Sequence, residues 1–136
     1  MMAQTRIKTR RREASNKLQY WLVGANWGGE DQFDKFIRRG NWEIGYKDED
    51  QPSFAALRER MRQGDRVALK RGIGPGSPNI EVRALGVIKE VSVDGRVYIN
   101  WLVVDLARKV PSKGCYKTIH GPFLFEDSWT REVFCL

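Results

Sequence analysis

Five tryptophans stand in a chain of 136 residues, and two of them sit where hydrophobic periodicity gives them no reason to be. Trp27 lies in Asn26-Trp27-Gly28 and Trp42 in Gly40-Asn41-Trp42-Glu43, both polar, glycine-flanked segments. Two indoles beside asparagine side chains can form a slot that stacks a flat heterocycle and reads its edge by hydrogen bonds. Stacking is worth ~1–3 kcal/mol per base, enough for two rings to dominate a small pocket. The competing reading is that both rings plug gaps between helix and sheet. Trp21 and Trp101 lie inside apolar strands and belong to a core. Trp129, in Asp127-Ser128-Trp129-Thr130-Arg131, shares the ambiguity of Trp27 and Trp42.

Other reactive types form no complete constellation. Cys115 and His120 are five residues apart, but a thiolate–imidazole pair also needs an orienting group and an oxyanion hole. The acids of Asp48-Glu49-Asp50 and Glu126-Asp127 are runs of the kind that face solvent, and Asp105 alone is embedded in an apolar segment. Two cysteines and one histidine do not fill a four-ligand zinc site without carboxylates, so no metal and no cofactor are expected. Gly72-Ile73-Gly74-Pro75-Gly76-Ser77 superficially looks like a phosphate cradle. It lacks the Gly-Lys-Ser/Thr ending, and proline removes amide donors. That leaves a hairpin connection or a mobile lip over a binding site.

Charge is distributed unevenly. The net charge is +7, yet Arg6, Lys8, Arg10, Arg11, Arg12 and Lys17 against Glu13 place +5 of it on residues 1–17. A basic arm of this kind suits an anionic polymer, nucleic acid first; a solvated tail that aids solubility is the plainer reading. No apolar run approaches the ~18 residues of a membrane span. Two cysteines give no disulfide framework, which fits a reducing, cytoplasmic setting.

The elements that must position these residues are a flexible tail over 1–17 and a single domain over 18–136. Leu18–Val23 reads as a buried strand. Phe33, Phe36 and Ile37 mark one face of a helix that is led by the acids Glu30 and Asp31 and ends at Gly40. Residues 41–46 are extended. A second helix is capped by Ser53 and carries Phe54, Leu57 and Met61. Gly64-Asp65 is a turn. Strands follow over 66–70, 79–91 and 96–106, the last two joined by the Asp94-Gly95 hairpin signal. Residues 107–128 read as loop, and 128–134 as a short strand or helical turn. Early helices and late hairpins argue for an α+β domain with a small, strongly bent sheet or barrel rather than a doubly wound fold.

Four stretches in this order resemble the PUA-like superfamily, in particular its EVE and YTH domains: Tyr20–Asn26, Gly40-Asn41-Trp42-Glu43, Met61–Leu69 with its Gly-Asp turn, and Ala84–Val91 with Gly86. They span about residues 18 to 106. The resemblance implies a partly closed, mainly antiparallel β-barrel with two or three helices outside, holding a modified nucleobase in an aromatic cage. Carried over, Trp42 is a cage wall and Trp27 a second wall. Asn26 or Asn41 reads the base edge, and Arg71 with the 72–79 loop flanks the mouth. The first strand departs from the family in ending Gly24-Ala25-Asn26 rather than in Ser or Lys-Ser, and residues 107–136 have no counterpart. Such domains sense modified bases in restriction systems, which implies DNA or RNA as partner and an effector such as a nuclease or ATPase.

The expectation is therefore a non-catalytic module that binds a modified, flipped or unpaired base, with Arg10, Arg11, Arg12 and Lys70 on phosphates. Its rival is an adaptor subunit of a defence or RNA-processing complex, using tryptophans as interface anchors. A small hydrolase acting through Cys115 or an acid cluster is the third possibility.

Overall fold

The computed structural model describes residues 17–136. In chain order the elements are β1 (Tyr20–Gly24), β2 (Asn26–Trp27), β3 (Glu30–Asp31), α1 (Phe33–Arg39) and β4 (Asn41–Trp42). Then come α2 (Pro52–Arg58), β5 (Arg66–Gly72), β6 (Asn79–Val91), β7 (Val97–Val103), β8 (Arg108–Pro111), β9 (Ile119–Phe123) and α3 (Ser128–Val133). One curled sheet runs in the order β4-β7-β6-β5-β1-β9, with β8 also pairing β6, and β2 and β3 form a separate ribbon. Among the described residues only the β1–β5 pair is parallel. The fold is thus α+β with a partly closed, mainly antiparallel sheet.

β1 is apolar at every position because it is covered on both faces. Trp21 and Val23 enter one core with Phe36, Trp42, Val67, Leu69, Ile88 and Ile99. Tyr20 and Leu22 enter a second with Ala68, Ile80, Val82, Val110, Cys115 and Trp129. Period-two alternation does the sorting. Register shifts between Leu85 and Gly86 and between Ile88 and Glu90 interrupt the β6–β7 ladder, and such bulges increase twist and bend a sheet.

Asp65 ties the start of β1 to the turn before β5. Its carboxylate accepts from Trp21 Nε1 at 3.0 Å, Gln19 Nε2 at 2.9 Å, the Gln19 amide at 3.3 Å and the Arg62 amide at 3.0 Å. The Gly-Asp turn is therefore a junction, and the buried Trp21 indole gains a partner for its N–H.

Several expectations need correction. α1 begins at Phe33, because Glu30 and Asp31 pair with Trp27 and Asn26 instead. Gly40 ends that helix at φ 64°, the left-handed conformation that favours glycine. Ser53 does not cap α2: Pro52 opens it, and Gln51 precedes it without a side-chain cap bond. Met61 lies beyond α2 yet is buried, carried there by tight turns in which the Arg60 and Met61 amides donate to Leu57 and Arg58. Residues 107–128 are not merely loop. β9 pairs β1 antiparallel, and β8 pairs the start of β6. Ser128–Val133 form α3, capped by Asp127, whose carboxylate accepts from the Trp129 amide at 3.0 Å.

Candidate functional site

β1 and β5 run side by side, β1 ending at Gly24 opposite Lys70 and β5 continuing to Gly72. Beyond their ends lies a cavity of about 490 Å³, inside the ~300–1,000 Å³ range of small-molecule sites. Three segments form it: Gly24-Ala25-Asn26 with Gly29 and Asp31, Lys70–Gly74 with Asn79, and Tyr116-Lys117-Thr118. The third segment reaches the cavity because β9 pairs β1 and the Gly24 amide donates to Thr118 O at 2.8 Å.

The structure gathers three of the expected residues here. Asn26 lines the cavity, its Oδ1 accepting from the Gly29 amide at 2.8 Å. Arg71 lines it while its Nε holds Glu81 at 2.8 Å, and the loop after it does flank the same space. Lys70 lines it from a position only 6% exposed. Arg10, Arg11 and Arg12 lie outside the described residues.

The two indoles lie elsewhere, and the slot expected between them is not what the fold builds. Trp42 is 0% exposed, in the core with Trp21 and Ile99, and its Nε1 donates to Gly24 O at 2.8 Å. It supports the backbone behind the cavity and presents no face to a ligand. Trp27 is half-buried against Phe36, ring centroids 5.7 Å apart. It lies so close over Gly45 that a Cβ there would stand 2.4 Å from its Cδ1. Asn41 is buried, its Nδ2 donating to Glu43 at 3.4 Å. Apolar neighbours from α1, α2 and β7 enclose these residues, contacts that the local polar sequence does not announce.

Lys117, Tyr116 and Thr118 are the residues that sequence reading missed. The Tyr116 hydroxyl donates to Ser77 O at 3.1 Å and lies 2.6 Å from Ser112 Oγ. It thereby fastens the 112–118 loop to the glycine-rich loop across the mouth. The signal was the cluster of Tyr and Lys in a glycine-flanked loop, but only the β1–β9 pairing shows where it goes.

The cavity is electropositive. Lys70, Arg71 and Lys117 face it, against Asp31, which is held by Arg83 at 2.6 Å. Burial pushes Lys70 down to about 8, with the neighbouring Cys115 acting in the other direction. His120 is pushed down to about 4 by burial, with Lys70 and Lys117 adding to the effect. Its Nε2 accepts from the Lys117 amide at 2.8 Å. Burial pushes the Cys115 thiol up, so the pair is a neutral thiol and a neutral imidazole rather than an activated nucleophile. Among the described residues, no group of three or more His, Cys, Asp or Glu is placed to hold a metal ion, and no helix is long and apolar enough to cross a membrane. No family model matches the chain, nor does any curated protein or any solved structure.

Proposed function

We propose that this chain is a non-catalytic nucleic-acid-binding module that takes one nucleobase, modified and either flipped from DNA or unpaired in RNA, into the cavity at the ends of β1 and β5. One observation carries the reading: Asn26, Lys70, Arg71 and Lys117, from three separate segments, converge on one cavity of about 490 Å³. Asn26 supplies an amide for a base edge, and Arg71 and Lys117 supply charge for the flanking phosphates. The bent sheet and the electropositive cavity support a PUA-like assignment of the EVE or YTH kind, with the base held in the β1–β5 cavity in place of a two-indole cage.

Fluorescence anisotropy with single-stranded and mismatched-duplex oligonucleotides tests it. Arg71→Ala combined with Lys117→Ala should weaken binding by at least about tenfold, since each lost phosphate contact removes affinity irrespective of sequence. Unchanged affinity would overturn the proposal.

A second reading has one observation in its favour. Beyond Ile99, whose amide donates to Gly40 O at 2.8 Å, the outer edge of β7 has no strand partner among the described residues, and Leu102 on it is 64% exposed. An edge of that kind suits strand addition by a protein partner, as an adaptor would use it. Failure of the isolated chain to bind any oligonucleotide, together with a stable protein complex, would favour that reading.

A further inference from the structure

Lys70 is the one buried charged residue among those lining the cavity. A lysine this buried is normally paired, because taking an ammonium out of water without a counter-charge is costly. Among the described residues Lys70 has no ion pair. The groups around it offer no negative charge. Gly24, opposite on β1, has no side chain, and a Cβ there would lie 3.4 Å from Lys70 Nζ. Val82, opposite on β6, is apolar. From β9 and the loop before it come neutral His120, the neutral thiol of Cys115 and the like charge of Lys117. Asp31, the carboxylate in the cavity lining, is held by Arg83, and Glu81 is held by Arg71. The amine thus sits over Gly24, on the floor of a cavity large enough for a ligand, without its complement.

We infer that the floor of this cavity is an oxyanion site, in which Lys70 Nζ pairs with an anionic oxygen carried by the bound nucleotide. The inference rests on the base-binding reading and sharpens it. The ligand presents to Lys70 a carboxylate on the base or a phosphate of its own backbone, and a methyl group alone does not complete the site. Glycine at position 24 leaves the approach to Nζ open, since a side chain there would fill the space beside the amine. A charge-assisted bond of this type is roughly twice as strong as a neutral one.

Calorimetric titration of the full chain distinguishes the two sources. The probes are cytidine, 5-carboxycytidine, cytidine 5′-monophosphate and inorganic phosphate. At least one of 5-carboxycytidine and cytidine 5′-monophosphate should bind about tenfold tighter than cytidine, and the one that does names the source of the anion. Lys70→Met should erase the difference, and Lys70→Gln serves as a second neutral variant in case methionine seals the cavity. Equal binding of cytidine and both anionic forms overturns the oxyanion site while leaving the base-binding reading intact. The same holds for a preference that survives both substitutions. Binding of inorganic phosphate in a Lys70-dependent manner, with no nucleoside bound more tightly, keeps the oxyanion site and overturns the base-binding reading. No binding of any probe overturns both.

Discussion

At the scale of single residues, burial decides what each polar or aromatic group does. Trp42 fills core volume and satisfies the Gly24 carbonyl, so Trp42→Ala is expected to cost about 3–5 kcal/mol of stability, as large aromatic truncations do. Urea denaturation measures it, and a variant as stable as the parent would return Trp42 to the list of ligand-facing residues. His120 adds a pH dependence. Its folded value of about 4 lies below the ordinary 6.5, so the unfolded chain binds the proton that the folded chain refuses. Stability is therefore lost as pH falls from 6.5 toward 4, by about 2 kcal/mol after allowing for solvent at the half-buried ring. Denaturation at pH 7 and pH 4.5 should show this loss, and His120→Asn should remove that part of it. Lys70 has the same sign in a higher window. Its folded value of about 8 lies below the ordinary 10.5, so stability rises as pH climbs between them, and replacing it with methionine should stabilise the fold at pH 7. Such a gain alongside lost ligand binding is the pattern of a group retained for function.

At the scale of elements, the fold hangs on a few junctions, and these explain what the sequence reveals and what it hides. β1, β5 and β6 announce themselves because their residues are apolar in runs or in strict alternation, and α1 because Phe33, Phe36 and Ile37 share a face. β8 and β9 do not. Arg108–Pro111 is half charged and ends in proline, and Ile119–Phe123 contains glycine and proline; both become strands only because distant β6 and β1 offer them partners. The cavity was half legible for the same reason. Asn26 and Arg71 flank strands that can be recognised, whereas Lys117 arrives by a pairing that spans most of the chain. Trp27 and Trp42 misled because their neighbours in sequence are polar while their neighbours in space, Phe36 and Ile99 among them, are apolar. Junction strength is measurable at Asp65. Asp65→Ala strands the Trp21 indole and Gln19 donors and should destabilise by about 3 kcal/mol or more, in the same urea assay. Tyr116→Phe is milder: losing the bond to Ser77 O should cost about 1 kcal/mol and raise amide exchange in the 72–78 loop, with unchanged exchange counting against the staple.

At the scale of the whole molecule, the positive charge has two seats, the basic segment over residues 1–17 and the cavity. They should separate in a salt titration. Removing residues 1–17 should flatten the dependence of oligonucleotide affinity on salt, because each phosphate neutralised contributes nearly one unit to that slope. An unchanged slope would take the segment out of the interface. Preference for a modified base should persist in the shortened chain, because discrimination is assigned to the cavity.

The location of the proposed nucleotide site is the point on which everything else turns. Nitrogen-15-labelled protein titrated with a single-stranded oligonucleotide carrying one modified base reads it directly. The amide resonances of Gly24, Asn26, Lys70 to Gly74, Asn79 and Thr118 should shift together and saturate with one nucleotide bound. Shifts confined to other surfaces, or no shift at saturating oligonucleotide, would contradict that location.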